Sequence, residues 1–306
     1  MLLKHMSSGL LSMFLFAVLI TWRSVFLSSA PPYMTAHPSL QSPWKKREMY
    51  RELSGSFGQV YLASNRESSL NCAIKEILHP HSKEQIMQLY REVYFLSKFS
   101  HPNIVRYYGI NLTGGKLSIY MEYMSEGSIH KLLKDGPFNE NRIRHCTVQI
   151  LFGLAYLHGR KIAHRDIKGG NILVGPKGEV KLADFGLAKN ISSVAEVHSD
   201  KGTPFWMAPE VIKSKFSGSG YNLLADIWSL GCTVIEMATG AHPWHEHCIP
   251  GEPCNQVAGM FRIAIRKDTP KIPEYLSEEG KDFLQHCLQR DPGSRPTFVR
   301  DYRAAF

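Results

Sequence analysis

His164-Arg165-Asp166-Ile167-Lys168-Gly169-Gly170-Asn171, followed thirteen residues after Asn171 by Asp184-Phe185-Gly186, is the stretch whose reading decides the fold. Asp166 has the chemistry to accept or orient the proton of a hydroxyl, and Asn171 and Asp184 offer the oxygen ligands that a hard cation such as Mg²⁺ prefers. An Asp-Phe-Gly triplet alone arises by chance in roughly 4% of chains this long, but the ordered combination effectively does not. The order of the groups is therefore the signal.

Working upstream, Ala73-Ile74-Lys75 reads as part of a strand whose alternation turns Lys75 inward, and Glu92 falls inside the helix that follows. A lone strand lysine is ordinarily a surface residue. An anion placed to hold it gives both residues a purpose. Further upstream, Ser54-Gly55-Ser56-Phe57-Gly58-Gln59-Val60 sits at a strand-turn-strand, where glycines without side chains let backbone N–H groups approach phosphates. Taken alone that loop is weak evidence. Together these parts are what phosphoryl transfer from ATP needs: a cradle for the phosphates, a cation on them, ligands for a divalent metal, and an aligned acceptor hydroxyl.

Between Glu52 and Met124 the pattern is of short strands, at Gln59 to Ser64, Cys72 to Leu78 and Lys116 to Tyr123, with a turn at Thr113-Gly114-Gly115. One helix interrupts them. Its capping box is Ser82 with Gln85, and Ile86, Leu89, Val93 and Leu96 recur at helical spacing until His101-Pro102. After Glu126 the chain turns helical: Ile143, Cys146, Ile150, Leu154 and Leu157 form one apolar stripe that stops at Gly159. A second long helix runs from about Leu223 to Thr239 and has so little polar face that it must be buried. Strands first and helices second predict an α+β fold of two lobes with a cleft between them.

On these motifs, with Ala208-Pro209-Glu210 and Asp226-Ile227-Trp228-Ser229, residues 44–306 resemble the protein kinase superfamily. The resemblance implies a bilobal fold: a small β-rich N-lobe with one helix, about 44–124, and a larger helical C-lobe, about 125–306. It implies ATP and Mg²⁺ as cofactors, with Asp166, Lys168, Asn171, Lys75 and Glu92 catalytic and Asn171 and Asp184 on the metal. The nucleotide contacts it implies are Leu53, Ser54, Gly55, Ser56, Phe57, Gly58, Val60, Ala73, Lys75, Leu173 and Asp184. Met121 is then the gatekeeper, and Glu122 and Met124 meet the adenine at the hinge. It further implies that Glu210 pairs with Arg295 and that Asp226 braces the catalytic loop.

Lys168 and Thr203, the latter in Gly202-Thr203-Pro204-Phe205-Trp206, are similar to the serine/threonine branch. The segments His164 to Val174, Gly202 to Ile212 and Gly231 to Gly240 are similar to plant MAP kinase kinase kinases of the MEKK type. The implied substrate is a MAP kinase kinase; the upstream activator stays unidentified. Ser199, Thr203 and Arg165 are the candidate activation-segment residues, with a phosphate on Ser199 pairing Arg165. Two departures accompany the match. Leu53 stands where the first loop glycine is expected, and the sequence ends at Phe306, nine residues after Arg295-Pro296-Thr297, where the resemblance implies a clipped last helix. Leu53 also keeps open a second reading, a non-catalytic scaffold of the same fold.

Composition bounds the remainder. The 306 residues are 43% apolar, enough for a large core, and carry a net charge of +9. Lys4, Arg23, Lys45, Lys46 and Arg47 precede the first acid, Glu48, and what remains is not clustered with aromatics, which argues against nucleic-acid binding. The six cysteines lack C-x-x-C spacing, which argues against a disulfide framework and for a reducing compartment. His242, His245, His247, Cys248 and Cys254 crowd one loop; their residue types suit a soft metal, but the spacing matches no closed zinc site, so the loop reads as solvated.

Residues 1–43 read as a hydrophobic or unstructured extension. A signal-peptidase cut after Ser28-Ser29-Ala30 is disfavoured by Pro31 and by the ATP-dependent domain that follows. The uncharged run from His5 to Trp22 has the minimum length to span a bilayer, and Arg23 with Lys45-Lys46-Arg47 would then hold the domain on the cytosolic side. The sequence predicts a cytoplasmic protein, with this membrane-anchored form as the alternative.

Overall fold

Short runs of alternating residues bounded by turns build the first of two compact units, residues 1–87 with Tyr107–Tyr123. The computed structural model describes residues 44–50, 59–65, 70–78, 83–113, 116–191, 203–217, 222–248, 254–266 and 268–297. Strands β1 (Trp44–Tyr50), β2 (Gln59–Asn65), β3 (Asn71–Leu78), β4 (Tyr107–Thr113) and β5 (Lys116–Glu122) form one antiparallel sheet in the order β1-β2-β3-β5-β4. Side chains on one face alternate inward: Ala63, Cys72 and Ile74 are buried beneath Tyr61, Tyr108 and Tyr120. Burial there pushes the Cys72 thiol up to about 12, so it stays protonated and acts as a small hydrophobe.

The other unit comprises Gln88–Arg106 and residues 124–306. Helix α1 (Lys83–Lys98) thus contributes all but its first residues to this unit. Ser82, the expected cap, lies outside the described residues, but Val93 and Leu96 of the expected stripe are buried. The cause of the grouping is the segment after the helix. Val105 N donates to Leu182 O at 3.0 Å, Leu182 N donates to Asn103 O at 2.9 Å, and the Asn103 amide donates to Val180 O at 2.9 Å. Those bonds tie residues 103–105 to residues 180–182 of the helical unit.

Within it lie α2 (Ile129–Leu132), α3 (Glu140–His158), α4 (Pro209–Ser217), α5 (Ala225–Thr239), α6 (Gln256–Ile265) and α7 (Glu278–Cys287). Their starts are written locally: Asn139, Asn255 and Ser277 each accept backbone N–H groups from the first turn of α3, α6 and α7. The five stripe residues of α3 are all buried. Helix α5 is buried along Ala225–Ala238 and ends on Gly240, whose φ of 72° is the left-handed cap conformation that glycine takes without a Cβ penalty. Short strands complete the unit: β6 (Gly127–Ser128), β8 (Ile172–Val174) and β9 (Val180–Leu182) form a sheet in the order β6-β8-β9, and β7 (Ile162–Ala163) pairs with β10 (Lys189–Asn190). No helix among the described residues is long and apolar enough to cross a membrane; residues 1–43, with the expected extension or anchor, are not among them.

Candidate active site

The loop between β7 and β8 carries His164 to Asn171, and two buried carboxylates hold it from below. Asp226, at the start of α5, accepts from His164 N at 2.8 Å, Arg165 N at 2.9 Å and His158 Nε2 at 2.9 Å. Burial alone would raise its pKa. The hydrogen bond and charge of His158, the charge of His164 and the Arg165 N–H outweigh burial and hold the carboxyl below its usual range. Arg165 itself has a φ of 73°, a left-handed conformation that costs energy in a non-glycine residue and that the anchored loop imposes.

Glu236, nearly three turns further along α5, is the second carboxylate, and the sequence reading did not single it out. Its Oε2 accepts from Gly169 N at 2.9 Å and from Trp206 Nε1 at 3.0 Å, and its Oε1 lies 3.3 Å from His130 Nδ1. A Cβ at Gly169 would fall 2.7 Å from Glu236 Oε1, so a larger residue there would push the carboxylate off its hydrogen bonds. The available signal was an acid enclosed by Ile235 and Met237 in an apolar helix, a residue that must be paired if buried.

On that base the candidate residues converge. Asp166 Oδ1 accepts from the Thr203 hydroxyl at 2.9 Å, while Oδ2 accepts from the Asn171 amide at 2.7 Å and pairs with Lys168 Nζ at 2.9 Å. Lys168 Nζ also donates to Thr203 Oγ1 at 2.5 Å. The Asn171 amide nitrogen is held further by Asp166 O at 2.9 Å, which leaves the side-chain oxygen as its ligand atom. Ala183 N donates to Asn171 O at 2.9 Å, which brings Asp184 beside Asn171. Asp184 has a φ of 59°, and its Oδ1 accepts from Gly186 N at 3.3 Å. Phe185 is fully buried, its ring 5.0 Å from His164 and 5.1 Å from Phe99, so packing fixes the direction of the strained aspartate. Asn171 and Asp184 are an oxygen donor pair that fits a hard divalent cation.

His164 is bonded on both nitrogens: Nε2 donates to Ala183 O at 3.1 Å, and Nδ1 accepts from Asp166 N at 3.3 Å. One ring thus ties the Asp166 loop to the Asp184 segment. In the same unit Leu173 is half-buried on β8, Met124 is 6% exposed, and Glu92 is 4% exposed within α1.

In the sheet unit, register places Val60, Ala73, Lys75 and Met121 on one face. Lys75 lies opposite Val60 on β2 and Ile119 on β5, and Ala73 lies opposite Leu62 and Met121. Glu122 pairs with Cys72 and so belongs to the opposite face. Leu53, Ser54, Gly55, Ser56, Phe57 and Gly58 lie outside the described residues, as does Ser199.

Two further features of the helical unit bear on the sequence reading. Arg295 pairs with Glu210 through both carboxylate oxygens, at 2.6 and 2.8 Å. The cysteine reading needs a correction: Cys248 and Cys254 are joined as a disulfide, with Cα atoms 5.2 Å apart, while Cys72, Cys146, Cys232 and Cys287 are free and buried. Nor is the loop merely solvated, since His242 and Cys248 are half-buried.

The family model for the protein kinase domain matches residues 52–304. The chain is 52% identical over 265 residues to mitogen-activated protein kinase kinase kinase 3 of Arabidopsis thaliana, an alignment that covers 85% of this chain and 42% of that protein. It is 51% identical over 282 residues to the Arabidopsis mitogen-activated protein kinase kinase kinase YODA, covering 90% and 31%. It is 42% identical over 261 residues to mitogen-activated protein kinase kinase kinase A of Dictyostelium discoideum, covering 83% and 26%. The matched region thus spans less than half the length of each of these relatives.

Proposed function

Because the chain belongs to the protein kinase family, we propose that it transfers the γ-phosphate of ATP to serine or threonine hydroxyls of a protein substrate, and that this substrate is a MAP kinase kinase. The observation that carries the reading is the environment of Asp166. Its carboxylate is clamped by Thr203, Asn171 and Lys168 rather than left to rotate, the positioning that an acceptor hydroxyl requires. In this reading Asp166 orients the hydroxyl and takes its proton. Lys168, already beside Asp166, offsets charge on the transferring phosphoryl group. Bound Mg-ATP supplies the phosphoryl group and the metal that neutralises it, with Asn171 and Asp184 as the protein's ligands. Lys75, on the face it shares with Val60, Ala73 and Met121, holds the α- and β-phosphates.

The names of the relatives support a place in a MAP kinase cascade. We assign the reaction to the cytoplasm, with residues 1–43 as an extension or as an anchor that keeps the domain facing the cytosol. Fractionating the full chain beside one lacking residues 1–42 decides between the two. The activity is tested by incubating the purified chain with Mg-ATP and kinase-inactive MAP kinase kinases, then mapping phosphosites. Phosphate on a serine or threonine of the partner is expected, with a loss of orders of magnitude in Asp166→Asn or Lys75→Met at unchanged circular dichroism. Undiminished transfer in either variant refutes the site, and no transfer by the unsubstituted chain favours the scaffold.

A further inference from the structure

The loop after α5 brings together three groups that the proposed reaction does not use. His242 Nε2 lies 3.4 Å from Cys248 Sγ, Cys248 is joined to Cys254, and the three potential ligand atoms all lie within 4.8 Å of one another. It is the only cluster of this kind among the described residues. We propose that, once the Cys248–Cys254 bond is reduced, His242, Cys248 and Cys254 form a binding site for a soft divalent cation of the zinc class.

Geometry favours this reading. Zinc bonds of about 2.0 to 2.1 Å to nitrogen and about 2.3 Å to sulfur, arranged tetrahedrally, separate the two donor atoms by about 3.5 Å. The observed His242 to Cys248 separation of 3.4 Å is therefore already that of two ligands on one ion. After reduction the two sulfurs have only to part to about 3.7 Å, which side-chain rotation supplies. The imidazole is also held in place: its ring stacks on Phe205, centroids 4.4 Å apart and planes at 13°.

One contact opposes the site. Trp244 N donates to His242 Nδ1 at 3.3 Å, and a metal on Nε2 moves the ring proton to Nδ1 and ends that bond. A single long neutral hydrogen bond is weak beside the coordination of zinc by thiolate and imidazole, which releases protons and can drive local folding.

The redox and proton balance is simple. A cellular dithiol gives two electrons to the Sγ–Sγ bond and is itself oxidised to a disulfide, and the two sulfurs each take a proton. Metal binding then releases those two protons. The disulfide and the metal site are alternative states of the same sulfurs. The position gives the site a structural connection, because Phe205 is two residues beyond Thr203, which bonds Asp166. An ion on His242 fixes the ring against which that turn packs.

The experiment uses the 306-residue chain reduced with a phosphine, freed of reductant under argon and titrated with cobalt(II), then zinc(II). One cobalt per chain is expected, with a sulfur-to-cobalt charge-transfer band and tetrahedral d–d absorption that one equivalent of zinc abolishes. Cys248→Ser, Cys254→Ser and His242→Ala should each weaken cobalt binding by more than the roughly 100-fold that loss of an outer-shell partner costs. His245→Ala, altered in the same loop but outside the ligand set, should bind as the unsubstituted chain does. An unchanged spectrum in either serine variant overturns the proposal. So does a reduced chain whose Cys248 and Cys254 both react with a thiol reagent but which takes up no cobalt, and so does a pair that the phosphine fails to reduce.

Discussion

Removing the carboxylate of Glu210 tests how far the helical unit depends on one enclosed charge. The Arg295 side chain is 0% exposed, and all five of its N–H groups have acceptors. Nη1 serves Glu210 Oε1 at 2.6 Å and Leu224 O at 3.0 Å, Nη2 serves Glu210 Oε2 at 2.8 Å and Arg290 O at 3.4 Å, and Nε serves Gln289 O at 2.7 Å. Glu210→Ala deletes two of the five acceptors and the only counter-charge among them. Breaking a buried pair from one side costs about 3 to 5 kcal/mol, because the remaining charge is stranded. Glu210 is itself 24% exposed, and three backbone carbonyls stay in place, which puts the expected loss at the low end, about 3 kcal/mol. For a unit of this size that is a fall in Tm of about 6 to 12 °C. Thermal unfolding followed by circular dichroism measures it. Arg295→Met in the Glu210→Ala background removes the stranded charge and should recover part of the loss, a coupling of about 0.5 to 3 kcal/mol. A cost below about 1 kcal/mol for Glu210→Ala, the value of an exposed pair, would refute the argument.

Asp226 predicts a pH dependence. Its folded pKa is depressed, so the stability it contributes is complete above the unfolded value of about 3.9 and is lost as pH falls through the lower folded value. Asp226→Asn should therefore be destabilised at neutral pH, with the gap from the unsubstituted chain narrowing below about pH 4; parallel urea-midpoint curves would exclude this. Phosphorylation of Ser199 is expected to activate the kinase through Arg165, since a phosphate carries about −1.5 to −2 charges and can order a loop around a guanidinium, where neighbouring Asp200 supplies only one. Initial rates of phosphatase-treated chain, Ser199→Ala and Arg165→Ala on one substrate measure the switch, which is wrong if Ser199→Ala equals the untreated, autophosphorylated enzyme.

What could be read directly from the sequence is what repeats or sits close together along the chain. The α3 stripe is legible because a 3.6-residue period is visible within one helix, and strands β2, β3 and β5 because each is flanked by turn residues. Strands β1 and β4 were not read, and they are the two edges of the sheet. An edge strand shows a weaker pattern, since charges such as Lys45, Lys46 and Arg47 on β1 blunt an unpaired ladder and mask the alternation that reveals a central strand. Of the shorter helices, α7 is marked by its cap at Ser277 but was passed over, because ten residues carry little periodic signal.

The site divides along the same line. Asp166, Lys168 and Asn171 lie within six residues, and their contacts follow from their spacing. The groups that hold them do not. Glu236 reaches Gly169 across 67 positions and Asp226 reaches His164 across 62, and no local pattern encodes either meeting. What the sequence does carry is the anomaly at the near end: an acid in a helix otherwise committed to burial, and a glycine at Gly169 with no turn to require it. Each looks unexplained alone. A buried carboxylate needs N–H donors, and a loop with unpaired N–H groups needs an acceptor, so two such residues on separate elements are complementary demands. The same logic separates His242, Cys248 and Cys254 from His245 and His247 of their loop: among the described residues only those three have ligand atoms that the fold brings within reach of one ion.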